Sequence, residues 1–147
     1  MKPLGATQLV IAFFSTAALT AYLAAQAPQT TWSGVYSDAQ AKRGETVFTA
    51  QCASCHGPDL AGVDPAPALT GAAFNTDFND TSLNDLVERV LATMPADKPG
   101  TLTRQDAADV IAFILSKDSF PAGQADLPTT ADALKPIKFV AVKPQER

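Results

Sequence analysis

The stretch CASCHG, from Cys52 to Gly57, contains both cysteines and the single histidine of the 147-residue chain. Two other residues separate the two thiols, and His56 follows the second thiol directly. Three chemistries could use this arrangement: a thiol–disulfide switch, a metal site and a covalently attached haem. The sequence around the stretch favours one of them.

A thioredoxin-like redox pair should follow a strand and open a helix. The preceding segment SDAQAKRGETVFTAQ, residues 37–51, is helical in character, and no strand pattern is found in the mature chain. A structural zinc site needs four ligands, and this stretch offers three that lie too close together. A covalent haem uses all three residues, because Cys52 and Cys55 can form thioethers and His56 can ligate the iron.

Met94 is the best candidate for the second axial ligand. The only other methionine is Met1, and no second histidine is present. Ser82 is a suitable N-cap, and apolar residues follow at the spacing of one helix face: Leu83, Leu86, Val87, Val90 and Leu91. Pro95 should end this helix at about Thr93 and leave Met94 at a turn. The alternatives are a methionine that only fills the core, and an iron with an open coordination position.

With these residues in place, the segment 38–117 resembles the class I, single-haem cytochromes c of bacteria. The order of features is similar: a helix, the haem motif, PAL at 67–69, a helix, the Met94 loop and a last helix. The resemblance implies a small all-α domain of about three to four helices around one haem c. It also implies that Pro67 accepts a hydrogen bond from His56, and that Leu69 and Leu102 line the haem pocket.

Two helices should pack closely in this fold. Gly44 lies inside the first predicted helix, where glycine is unfavourable, so another backbone should approach it. The resemblance places Phe113 of the last helix there. That helix should begin after Thr103, with one apolar face: Ala107, Val110, Ile111, Ile114 and Leu115. Relatives often carry a tryptophan near Phe78, which cannot donate a hydrogen bond to a haem propionate; Trp32 is interpreted as a packing residue.

The chain divides into four parts. Residues 1–27 have one charge, an apolar middle and the small residues Ala25 and Ala27, which is typical of a signal peptide. An uncleaved membrane anchor is the alternative. Residues 28–37 form an N-terminal extension, 38–117 the cytochrome c domain, and 118–147 an extended, proline-rich tail. The tail is interpreted as a strap over the domain, or else as a docking segment for a partner; four side chains should anchor it: Leu127, Leu134, Ile137 and Phe139.

The charge balance bounds the function. The formal charge is −4, or −5 without Lys2, and such an acidic chain is unsuited to nucleic acid. The sequence therefore predicts a periplasmic or otherwise exported electron carrier, bound to a membrane only if residues 1–27 are retained. Its partners would be redox proteins, with a dehydrogenase as donor and an oxidase or another cytochrome as acceptor. No catalytic residue is predicted; the alternatives are a haem subunit of a dehydrogenase complex, including the quinoprotein type, and an open-coordination haem sensor or enzyme.

Overall fold

The computed structural model describes residues 29–145, which contain helices and isolated bridges but no strand. A 3-10 turn, Thr31–Ser33, precedes six helices: α1 (Asp38–Gln51), α2 (Ala53–His56), α3 (Gly71–Phe78), α4 (Leu83–Thr93), α5 (Arg104–Lys117) and α6 (Ala131–Leu134). The prediction of a small all-α domain is confirmed, with four longer helices and two single turns. Between residues 29 and 145, no helix is both long and apolar enough to cross a membrane. The predicted signal peptide, residues 1–27, lies outside the described residues.

The two predicted helix caps are confirmed. Ser82 accepts a hydrogen bond from the Asp85 amide, and the Asp85 carboxylate accepts one from the Ser82 amide. Thr103 and Asp106 form the same reciprocal pair at the start of α5. Each pair satisfies two backbone donors that the first helical turn would leave without partners. The starts of α4 and α5 are therefore fixed by residues recognisable in the sequence.

Helix α5 is the centre of the core. The five residues of its predicted apolar face are all buried, and so are Ala108, Ala112 and Phe113 on its other sides. Asp109 is also buried, with 4% of its surface exposed, and the Arg43 guanidinium donates to it at 3.1 Å and 3.3 Å. Because a buried carboxylate needs a partner, this ion pair lets an acidic residue face α1. The helix is thus more deeply enclosed than its single apolar face indicates.

Helices α1 and α5 approach each other closely at Gly44. A side chain at this position would overlap the carbonyl group of Asp109 and would lie 3.0 Å from Cβ of Phe113. The aromatic rings of Phe48 and Phe113 then pack one turn further on, 5.3 Å apart. The predicted contact of Gly44 with Phe113 is present, but the backbone of Asp109 lies nearer and is the stronger reason for glycine.

The residues on either side of this helical core form a collar, defined here as residues 29–37 and 118–141. Its two parts are joined by backbone hydrogen bonds from Thr31 to Lys138 at 3.0 Å and from Gly123 to Tyr36 at 2.7 Å. The Tyr36 hydroxyl donates to the Phe120 carbonyl at 2.7 Å, and the Trp32 ring nitrogen donates to the Val140 carbonyl at 2.8 Å. The collar thus connects the two ends of the described chain.

The collar is part of the hydrophobic core. The four predicted anchors of the tail are buried, together with Phe120: Leu127, Leu134, Ile137 and Phe139. The Phe139 ring contacts Phe74 and Phe78 of α3 as well as Phe120, with centroids 5.3 to 6.4 Å apart. The tail therefore packs on its own domain as a strap does. It is also less extended than predicted, because α6 forms one helical turn within it.

Candidate functional site

The CASCH stretch lies where α1 ends and the one-turn helix α2 begins. The Cys52 amide still donates to the Phe48 carbonyl at 2.8 Å, and the Cys52 carbonyl accepts from the amides of Cys55 and His56 at 3.1 and 3.0 Å. One helical turn therefore places the two thiols and the imidazole together. Gly57, with φ of +75°, then turns the chain away from this helix.

The two cysteines lie in different environments. Both are unpaired, Cys52 is half-buried against the core, and Cys55 is exposed. Burial raises the pKa of the Cys52 thiol above its usual value, and the neighbouring Cys55 raises it further by a smaller amount. The Cys52 thiol, next to the core, is thus less readily ionised than an ordinary thiol, and the Cys55 side chain is open to solvent.

His56 is the most restricted residue of the stretch. The residue is only 5% exposed, and its Nδ1–H donates a hydrogen bond to the Pro67 carbonyl oxygen, with 2.8 Å between nitrogen and oxygen. This contact fixes the ring orientation and the tautomer, so the lone pair of Nε2 is directed away from Pro67. The imidazole is thereby oriented to use Nε2 as a metal ligand.

The segment 57–69 brings Pro67 to the histidine. Leu60 is buried at 1% exposure, and its carbonyl accepts from the Leu69 amide at 2.8 Å, which closes the segment into a loop. Within that loop the Gly62 amide donates to the His56 carbonyl at 2.8 Å. Leu60 and Gly62 were not identified from the sequence; a glycine in a loop rich in proline and aspartate was the only available signal.

Met94 is the residue that follows α4. Its amide donates to the Val90 carbonyl at 2.9 Å, and its backbone is extended, with φ of −121° and ψ of 150°. The helix thus ends at Thr93, as predicted. The Met94 side chain is half-buried, whereas Pro95 beside it is buried.

Leu102 lies further along the same loop. It is half-buried and lines a cavity of about 310 Å³ together with residues of α1 and of the loop. Val47, Ala50 and Gln51 form the α1 side of this cavity, directly before Cys52. The Met94 loop therefore meets the end of the helix that leads into the haem motif.

The candidate site residues thus form two groups. Cys52, Cys55 and His56 share one turn, and the loop that follows places Pro67 against His56 and pairs Leu69 with Leu60. Met94 and Leu102 come from the segment between α4 and α5.

The residues present fit a covalently attached haem. Two unpaired thiols lie one helical turn apart, and a buried imidazole is held by Nδ1 with Nε2 left for iron. The roles of the individual residues stay predictions.

This arrangement of helices and of CxxCH side chains defines a class: the small all-α, class I monohaem cytochromes c. A protein-family model described as cytochrome c oxidase, cbb3-type, subunit III matches residues 39–114, more than half of the chain. The chain belongs to this family of cytochrome c domains. Neither the curated proteins nor the solved structures gave a match.

Family membership establishes the cofactor and the general activity. The domain binds haem c covalently through a CxxCH motif, and its iron carries electrons rather than catalysing a reaction on a substrate. Electrons reach and leave such a domain through redox partner proteins. The matched residues 39–114 lie within the predicted domain and include both Cys52 and Met94.

Proposed function

We propose that this protein is an exported one-electron carrier whose haem is attached to Cys52 and Cys55 and ligated by His56 and Met94. The observation that carries the proposal is the hydrogen bond from His56 Nδ1–H to the Pro67 carbonyl. A metal-bound histidine is commonly oriented by such a bond, which raises the basicity of its other nitrogen.

The position of Met94 supports the second ligand. It is the only methionine among residues 29–145, and it lies where α4 ends and the chain turns. Its thioether can act as a ligand without a change of protonation, and methionine–histidine ligation raises the reduction potential of a haem. A haem held by both His56 and Met94 would supply one-electron transfer, and the two side chains would keep substrates from its iron.

The protein groups around the motif have separable roles in this proposal. The Pro67 carbonyl holds the His56 ring, and the buried Leu60 and half-buried Leu69 would contribute apolar surface from the loop that carries Pro67. Such surface limits solvent access and lowers the local dielectric, which shifts the potential of a metal centre. Leu102 would contribute apolar surface from the Met94 loop.

The place of this carrier is proposed to be the periplasm. Residues 1–27 would direct export and would be removed, and a retained segment would instead anchor the protein to the membrane.

The second candidate function is that of a subunit assembled with an oxidase, which the family description supports. A quinoprotein-type dehydrogenase is the alternative complex that would supply electrons. Five apolar side chains of the tail pack into its own domain, so a partner that contacts residues 118–141 would have to use the other, exposed side chains of this segment.

Met94→Ala tests the ligand assignment. We expect the haem to stay attached, the reduction potential to fall, and the weak far-red absorption of iron–methionine coordination to disappear, because the iron loses its thioether. The reduced variant should also bind carbon monoxide. Thr93→Ala, next to it and exposed, should behave as the unaltered protein. A far-red band that survives in Met94→Ala would contradict the proposal.

Substitution of the two cysteines tests the attachment of the haem. In the pyridine haemochrome spectrum, Cys52→Ser and Cys55→Ser should each lose one thioether and give a low yield of attached haem. Unchanged spectra and yields in both variants would show that attachment does not use this motif.

A further inference from the structure

The loop between His56 and Pro67 folds back on itself, so that Gly62 lies between the two ends of the loop. On one side, the Gly62 amide donates to the His56 carbonyl at 2.8 Å. On the other side lies the peptide that joins Pro67 to Ala68: a Cβ on Gly62 would be 2.7 Å from the Pro67 carbonyl carbon and 2.7 Å from the Ala68 nitrogen. Gly62 therefore touches both the residue that donates the ring hydrogen bond and the residue that accepts it.

Two properties of glycine are needed at this position. Its φ is +80°, a backbone conformation that residues with a Cβ rarely adopt. In addition, a Cβ would be 2.6 Å from the Ala66 carbonyl oxygen, and the three nearest atoms all belong to the backbone. Because backbone cannot rotate aside as a flexible side chain can, any side chain at 62 must displace the segment 66–68.

We propose that Gly62 is a positioning residue that holds the Pro67 carbonyl at hydrogen-bonding distance from His56 and thereby sets the reduction potential of the haem iron. This inference rests on the proposed ligation of iron by His56. A hydrogen bond weakens steeply as it lengthens or bends, and the bond at Nδ1 determines how strongly Nε2 donates to iron. Displacing the Pro67 peptide weakens this bond, makes His56 a poorer donor and favours the ferrous iron.

Gly62→Ala tests the inference, with Gly71→Ala as its matched control. Gly71 has nearly the same φ, +84°, and no atom lies within 4 Å of the Cβ that would be added. Both variants place a Cβ on a residue with positive φ, and only Gly62→Ala presses on the Pro67 peptide. The readouts are the reduction potential and the NMR signal of His56 Nδ1–H in the reduced, diamagnetic protein.

The expected result is a higher potential for Gly62→Ala than for Gly71→Ala. Its Nδ1–H signal should also move upfield and exchange faster with water, since the hydrogen bond is weaker. Haem attachment and the far-red methionine band should be the same in both variants. Equal potentials and equal Nδ1–H signals in the two variants would overturn the inference.

If Gly62→Ala yields no haem-containing protein, Asp59 provides the second comparison. The Asp59 carboxylate accepts from the Ala61 amide at 3.2 Å and so stabilises the turn that leads into Gly62. Asp59→Asn keeps a side-chain oxygen that can accept this bond, whereas Asp59→Ala has none. Both variants lose the negative charge of Asp59. A raised potential and an upfield Nδ1–H signal in Asp59→Ala alone support the inference; identical behaviour of the two variants overturns it.

These outcomes are distinct from a failure of the proposed function. If the unaltered reduced protein shows no Nδ1–H signal of an iron-bound imidazole, His56 is not the ligand and both proposals fall. If that signal is present and insensitive to residue 62, only the positioning role of Gly62 is lost.

Discussion

The α1–α5 crossing and the collar stabilise the same helical core by different means. At the crossing, two regular helices satisfy their own backbone groups, and they meet at Gly44, which faces the Asp109 backbone and the Phe113 side chain. The collar is mostly irregular, and its backbone groups are satisfied by bonds between its two parts and by side chains. Both polar atoms of the Gln40 amide, which is fully buried, bond to the backbone of Leu127.

The difference shows how an irregular segment can become core. A buried backbone N–H or C=O that lacks a partner is costly, so a loop can be buried only where side chains or another segment supply those partners. For the collar, these partners are the backbone of its other part and the side chains of Tyr36, Gln40 and Trp32. The tail is accordingly held in place by residues of the N-terminal extension and of α1.

Removing Phe139 should be the most damaging single change to the collar. The residue is fully buried, and its ring contacts three other phenylalanines. We expect Phe139→Ala to lower the free energy of unfolding by about 3–5 kcal/mol, the usual cost of such a cavity, measured by urea denaturation of the haem protein. Val142→Ala changes a residue that is 79% exposed and directly follows the collar, and it serves as the control. Similar effects of the two variants would mean that the collar is a peripheral strap.

Gly44→Ala tests the crossing itself. On helix propensity alone, alanine in place of glycine should stabilise α1 by about 1 kcal/mol. The added methyl group overlaps the Asp109 carbonyl, however, so we expect a net loss of about 1–3 kcal/mol in the free energy of unfolding. Lys42→Ala, exposed on the same helix, is the control for changes in α1 alone. A stabilised Gly44→Ala protein would contradict the observed close approach of the helices.

The crossing could be predicted from the sequence, whereas in the collar only the four buried anchors of the tail could be, and not the contacts that they make. Apolar residues at helical spacing and the caps at Ser82 and Thr103 identified α4 and α5, because these signals are local. Helix α3 was missed: it has eight residues, and its buried Phe74 packs against Phe139, which is distant in the sequence. The Gln40–Leu127 bonds likewise join residues separated by 87 positions.

The candidate site also has a part that could be predicted from the sequence and a part that could not. The spacing of Cys52, Cys55 and His56 is itself the signal of haem attachment, and Met94 was identified because no other methionine or histidine remained in the mature chain. The partner of His56 came only from the resemblance to cytochromes c. The positions of Leu60 and Gly62 depend on how the loop 57–69 folds back on itself, which no local pattern specifies.

The Asp126 carboxylate of the collar bonds to Arg43 of α1. Of the changes to the crossing and the collar, its removal should have the smallest and most pH-dependent effect on the free energy of unfolding. A hydrogen bond from the Ser37 hydroxyl, and next the Arg43 guanidinium at 2.6 Å, lower its pKa below the ordinary 3.8. Its stabilising effect is therefore complete above about pH 3.8 and is lost as the pH falls through the lower native value. Because both partners are about half exposed, salt should weaken it further.

The measurement is the difference in unfolding free energy between the unaltered protein and Asp126→Asn as the pH is lowered. We expect this difference to be greatest near neutral pH and to shrink in acid, since the protonated carboxyl resembles the amide. Asp132→Asn removes a charge from a side chain that is 97% exposed, in α6 of the same tail, and controls for the general effect of net charge. If Asp126→Asn and Asp132→Asn gave the same pH profile, Asp126 would add nothing specific, and the collar would be joined to α1 by Gln40 and by apolar packing alone.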